Sequence, residues 1–317
     1  MDLALITKNI SPDIEFLILY RSYNYYGSYF IKLSKSLHKD IFSFRRIDDD
    51  IDFSDINVLH NFIKLGLGKA EKYALFFGMH GYTWFIKPSP YKFITVDKIK
   101  EIILRNNIVF DIIGFDCCYM STIETVYELN DCARYIIACE NASPNLGFNS
   151  EEMVNAFSSG DSPDKIAIRI AKGFIKRNNI APKLLEYPTD VAVIDLKYVE
   201  ELVKKLSVIG INDDFLLNKV KNAKIVNEEG YETYDLYYVI YKSDIDNEIK
   251  TDILQLINNM IILYIQSDLL KQENISCFCY GIGFTPFPYK INENSFSYRG
   301  LKVKKQFCDK AKVIPGC

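Results

Sequence analysis

The sequence predicts an α/β protein in which helices flank a mainly parallel central sheet in three layers. Strand-like and helix-like segments alternate along the first 200 or so residues, the pattern of successive βα units. Two short apolar runs, Tyr73–Gly81 and Ile108–Met120, lack the polar alternation of a half-exposed strand. They therefore read as interior parallel strands. Each ends in turn chemistry beside a reactive side chain, and open α/β sheets place their chemistry just past the carboxyl ends of such strands.

In chain order, Glu15–Tyr20 is a first strand and Tyr23 to Gly27 a polar aromatic turn. Ser28 to His38 reads as a helix, with Tyr29, Phe30, Leu33 and Leu37 on one face. Asp48–Asp50 is an exposed acidic loop. Asp55 to Leu65 forms a helix closed by Gly66 and Gly68. The His80 strand follows, then a proline-rich segment, Lys87–Lys92, with neither helix nor strand signal. Thr95–Asp97 opens a helix whose apolar face is Val96, Ile99, Ile102 and Ile103, and it leads into the Cys118 strand. Tyr135–Glu140 is the next strand, Ser162 to Arg177 an amphipathic helix, and Thr189–Asp195 a further strand. From Lys204 the pattern is mostly helical, with a late strand at Ile275 to Phe284. Residues 1–203 are thus expected to form the core, and 204–317 a helical/β subdomain packed on it that contributes the late strand.

Composition narrows the function classes. With 317 residues, about half of them apolar, the chain can bury a large core. A net charge of −3 leaves no electrostatic footprint for nucleic acid or an anionic membrane. The N-terminus has no basic leader, and the apolar stretch Ile253–Ile265 is broken by Gln255, Asn258 and Asn259. Eight cysteines without a secretory signal point to free thiols and a cytoplasmic setting. Gly66-Leu-Gly-Lys69 fails as a phosphate loop, since Ile63 and Ala70 occupy positions that need glycine and a hydroxyl. Cys277-Phe-Cys279 lacks a second ligand pair, so no metal or other cofactor is expected.

A thiol at one strand end and an imidazole at another make a nucleophile and a base. Of the three histidines, His38 and His60 lie in helical patterns, and only His80 stands at a strand end before a glycine. Ser121-Thr-Ile-Glu124 is a capping box, so Cys118 is expected just ahead of a helix N-terminus, where an anion is favoured. Cys117 and Cys118 should face opposite ways, because neighbours on a strand alternate.

These residues carry a resemblance. His80-Gly81 after one apolar strand, then Gly114-Phe115-Asp116-Cys117-Cys118-Tyr119-Met120 and a helix bearing Glu124, resemble the clostripain-like cysteine peptidases. That family belongs with the caspases, gingipains, legumains and separases. The likeness is tight from about residue 73 to 150, where Ala138-Cys139-Glu140 resembles the family's Ala-Ser-Glu strand end, and looser elsewhere. Tyr298-Arg-Gly300 is one of the weaker matches.

The resemblance implies a caspase-like fold and a cysteine endopeptidase acting on peptides or proteins, as a monomer. It selects Cys118, two residues after the aspartate, as nucleophile, with His80 as base. It makes the backbone N–H groups of Gly81 and Cys118 the oxyanion hole. Asp116 becomes the specificity residue for Arg or Lys, while Leu146 stands where relatives carry a second acid. The resemblance leaves a calcium requirement open. Two other classes also stay open: a protease-like scaffold or regulator without turnover, and a Cys–His hydrolase or acyltransferase on non-peptide substrates.

Overall fold

The computed structural model describes residues 9–22, 27–36, 39–46, 51–89, 92–183, 185–209, 224–226, 232–272 and 279–285. His38, Asp48–Asp50, Cys277, Tyr298–Gly300, Cys308 and Cys317 lie outside the described residues.

Five strands form the central sheet: β4 (Ala74–Gly78), β8 (Phe110–Asp116), β9 (Ala133–Ala138), β10 (Asp190–Asp195) and β13 (Ile261–Gln266), in the order β13-β10-β9-β8-β4. The pairs β4·β8 and β8·β9 are parallel, whereas β10 runs antiparallel to both β9 and β13. The sheet is therefore mixed, with its parallel half at the β4 side. Residues along each inner strand alternate between two cores. Ile113, Phe115, Ile136 and Ile194 face one, and Ile112, Ile137, Val191 and Val193 face the other. Burial on both faces explains why these strands read as unbroken apolar runs.

On the first face pack α1 (Ile56–Gly66), α2 (Val96–Arg105), α3 (Ile123–Glu128), α6 (Val199–Ile209), α7 (Leu236–Lys242) and α8 (Asn247–Met260). On the second lie α4 (Ser150–Ser158) and α5 (Pro163–Asn179). Helix α5 begins with Ser162 at the N-cap and Pro163 in the first turn, where its missing N–H costs nothing. It buries Ile166, Ile170, Phe174 and Ile175, each worth about 1.5–3 kcal/mol on transfer from water.

Residues 28–36 are not helical. They belong to β2 (Gly27–Ser36), the middle strand of a meander with β1 (Glu15–Ser22) and β3 (Lys39–Arg46). Ile31 and Leu33 are buried at every second position, so the period is two, and the apparent helical face was a coincidence of the aromatic residues around them. The segment around Lys87 is also a strand. It forms a small antiparallel sheet from β5 (His80–Gly81), β6 (Phe85–Ser89) and β7 (Lys92–Thr95). A third small sheet joins β11 (Lys224–Val226), β12 (Glu232–Asp235) and β14 (Gly283–Phe284); of the described residues of the expected late strand, only these last two are strand. The remaining helix, α9 (Asp268–Gln272), follows β13.

Candidate active site

The parallel register of β4 and β8 aligns their carboxyl ends, with Gly78 opposite Asp116. His80 and Cys118 each stand two residues beyond that pair. They are 38 positions apart in the chain, yet both line one cleft of about 1770 Å³ with Gly81, Asp116, Ser143 and Leu146. His80 is exposed and Cys118 partly so.

Two contacts fix one strand end against the other. Gly81 lies so close to the cysteine turn that a Cβ there would come within 2.5 Å of the Cys118 carbonyl oxygen and 2.7 Å of Cys117 Cβ. Only a residue without a side chain fits. One residue past Tyr82, the Thr83 carbonyl accepts the hydroxyls of Thr122 at 2.9 Å and Thr125 at 2.5 Å. The loop after His80 is thereby fastened to the start of α3.

Cys118 sits in a turn after β8 rather than on the strand, and Tyr119 beside it has φ 59°. The two cysteines still face opposite ways. Cys117 is fully buried, with its thiol 3.5 Å from the Phe77 carbonyl, and burial pushes that thiol well above the usual range. The Cys118 sulfur accepts the Ser143 N–H at 3.3 Å and lies 3.8 Å from the Ser143 carbonyl. The N-cap of α3 is Thr122, one residue later than the capping box implied, and Glu124 accepts the Thr285 N–H. An amide directed at the sulfur thus comes from Ser143, on the loop after β9. Sequence reasoning passed over Ser143. Its signal was its place just after the carboxyl end of the strand next to β8.

Asp116 anchors that same loop. Its carboxylate accepts the Ser143 hydroxyl at 2.8 Å and the Phe148 N–H at 3.0 Å. Gly147, at φ +60°, leaves room for it, since a Cβ there would run into the carboxylate. Burial raises Asp116 above its ordinary value, against these two hydrogen bonds and the Arg177 charge. Leu146 lies half-buried on the cleft wall. His60 is taken by a structural contact, its Nδ1 lying 3.0 Å from Asn106 Nδ2.

Behind the turn lies a buried acidic cluster that the sequence did not announce: Glu140, Asp190 and Asp235, with Cys279 and Tyr264. Glu140, Asp190 and Cys279 are close enough together for a cation to be considered. Asp190 is already engaged, however. Its Oδ1 accepts the N–H groups of Glu140 and Asn141, and its Oδ2 accepts Asn141 Nδ2 and the Tyr264 hydroxyl.

A mixed sheet between two helical layers carries a thiol and an imidazole just past adjacent parallel strands. The clostripain family model, peptidase C11, matches residues 9–278. The chain belongs to the clostripain family of cysteine proteases, which are hydrolases. A search of curated proteins finds no match.

Among solved structures it is similar to a secreted C11 cysteine protease from Bacteroides thetaiotaomicron in complex with an irreversible peptide inhibitor. The identity is 16% and the TM-score 0.77, over 98% of this chain and 94% of that one. An inactive zymogen C11 protease from Parabacteroides distasonis gives 15% and 0.73, over 96% and 92%. A clostripain from Bacteroides thetaiotaomicron in complex with a peptide inhibitor gives 15% and 0.56, over 70% and 97%. At these identities the likeness speaks for the fold. Among the described residues no helix is long and apolar enough to cross a membrane.

Proposed function

We propose that this chain is a cysteine endopeptidase that uses His80 and Cys118 as a dyad and cuts after Arg in preference to Lys. The observation that carries the proposal is the Gly78–Asp116 register, which brings the two residues past paired strand ends onto one cleft. The Cys118 thiolate, formed by proton transfer to His80, attacks the scissile carbonyl and forms a C–S bond. The backbone N–H groups of Gly81 and Cys118 receive the oxyanion. As the C–N bond breaks, the imidazolium protonates the leaving amine, and water then hydrolyses the thioester with His80 as base.

Asp116 supports the basic preference. It is a carboxylate on the cleft wall, held by Ser143 and Phe148 and raised by burial. A guanidinium docking there would add its positive charge to that of Arg177. With Leu146 in place of a second acid, one carboxylate suits the planar fork of Arg better than the strongly hydrated ammonium of Lys. The enzyme is read as a monomer acting on peptides or proteins, without a cofactor. Free thiols at Cys117, Cys118, Cys132, Cys139 and Cys279 support a reducing compartment such as the cytoplasm.

Fluorogenic peptides with varied residues on the acyl side test this reading. Wild type should turn over Arg peptides fastest, Cys118→Ala none, and Asp116→Asn should lose the preference for Arg. Equal turnover by Cys118→Ala, or a preference for acidic residues, would sink it.

A further inference from the structure

Among the described residues, a short strap, residues 279–285, joins the second half of the molecule to the cysteine turn. Tyr280 N–H donates to Asp235 Oδ2 at 2.6 Å, and Gly281 N–H to Glu140 Oε2 at 2.9 Å. The Gly281 carbonyl accepts the Ser121 hydroxyl at 2.6 Å, Gly283 N–H returns to the Ser121 carbonyl at 2.8 Å, and Thr285 N–H reaches Glu124 at 3.0 Å. Asp235 also caps α7 by accepting the Tyr238 N–H at 2.6 Å. On the other side of the strap, the residues flanking Glu140 hold the turn itself. The Cys139 carbonyl accepts Ser121 N–H at 2.9 Å, and the Asn141 carbonyl accepts Tyr119 N–H at 3.0 Å. Glu140 is thus the side chain at which turn, strap and α7 corner meet.

Glu140 and Asp235 accept from consecutive residues of the strap, and both are almost completely buried. Two carboxylates cannot bond without a proton between them. Glu140 Oε1 has no hydrogen-bond partner among the described residues, so it is the oxygen left to carry a proton. We infer that Glu140 is a positioning residue: as a neutral acid it donates its proton to Asp235, and this shared-proton clip holds the strap and the α7 corner against the turn that bears Cys118. The clip would serve the active site proposed above, and it rests on that reading.

The groups facing the pair include Asp190 on β10, Tyr264 on β13, and Cys279 and Tyr280 on the strap. Burial, then the neighbouring acids Asp235 and Asp190, lift Glu140 well above its ordinary 4.5, and burial lifts Asp235 from 3.8 to about 7. Both carboxyls therefore keep protons in the folded protein at pH values where the unfolded chain has lost them. The folded state binds the extra protons, so their contribution is present at acid pH and declines as pH rises from about 4 through 7 and above.

Glu140→Gln and Glu140→Ala in the full-length protein test the clip. Glutamine can donate to Asp235 and still accept from Gly281, but it does not titrate. It should retain turnover and flatten the fall of both Tm and kcat/KM with rising pH. Alanine should lower kcat roughly tenfold to a hundredfold, the scale of a slightly misplaced reacting group, with little change in KM. Three results would overturn the inference. One is Glu140→Gln as impaired as alanine, another is an unchanged pH slope of Tm in Glu140→Gln. The third is a rise in wild-type Tm with calcium or zinc that Glu140→Gln abolishes, which would make the cluster a cation site. Wild type that cleaves no peptide would instead refute the peptidase reading, while the Tm slopes would still decide the clip.

Discussion

Replacing Gly81 by alanine adds one methyl group where the two strand-end segments of the site meet. Its Cβ would lie 2.5 Å from the Cys118 carbonyl oxygen, 2.7 Å from Cys117 Cβ and 2.9 Å from Met120 Cγ, whereas real Cβ contacts stop near 3.0 Å. One of those atoms is a backbone oxygen of the cysteine turn and another a Cβ fixed by its own backbone, so neither can rotate away. The turn must retreat by about half an ångström or more. Overpacking of this kind costs about 1–3 kcal/mol. For a chain of this length that is roughly 2–5 °C in Tm. Catalysis should suffer more, because misplacing a reacting group by about 1 Å can cost about 100-fold. The alanine variant keeps its N–H, so the loss isolates position from chemistry. Steady-state kcat/KM on an Arg peptide, beside a thermal melt, should show a drop of roughly tenfold to a hundredfold that far exceeds the loss of stability. If kcat/KM matches wild type, the turn yields freely and Gly81 does not set the distance between the two catalytic segments.

Cys118→Ala should abolish both hydrolysis and iodoacetamide-sensitive turnover, and Cys117→Ala should keep most of both, as active-site titration will show. A dead Cys117→Ala with a live Cys118→Ala would reverse the assignment. His80→Ala should slow acylation by roughly two to four orders of magnitude, while His60→Ala, whose ring only meets Asn106, and His38→Ala leave the single-turnover rate nearly unchanged. Purified wild type should stay whole on ageing. Lys92 is paired to Asp52 at 2.6 Å and begins β7, so it is a poor cleavage site, and fragments ending at Lys92 in an intact-mass measurement would contradict this.

The parallel half of the sheet was legible because strands buried on both faces leave unbroken apolar runs, as in Phe110–Asp116. The two strand-end signals, His80-Gly81 and Asp116-x-Cys118, were legible because turn chemistry interrupts those runs. The direction of β10 was not. An apolar strand carries no mark of its orientation, and the connection that reverses it lies outside the run itself. The β2 strand was misread because Tyr29, Phe30 and Leu33 fit a helical face as well as alternation does, and only pairing with β1 and β3 separates the two. Ser143 escaped notice, and Glu140 was seen only as the end of a family-like strand, for a related reason. A lone serine or glutamate after a strand is ordinary in sequence, and its meaning comes from partners such as Cys118, Gly281 and Asp235, which lie 25 to 141 positions away.

The opposed exposure of the paired cysteines makes this region a gauge of its own integrity. Trypsin should release Asn106–Arg134 as one peptide, since no lysine or arginine interrupts it, and that peptide contains Cys117, Cys118 and Cys132. In the folded protein Cys117 and Cys132 are sealed from solvent, and Cys118 opens onto the cleft. A brief pulse of alkylating reagent should therefore leave a single adduct on this peptide from intact molecules and three from unfolded ones. The ratio of the two masses counts the competent fraction of any preparation, including variants too impaired to assay by turnover.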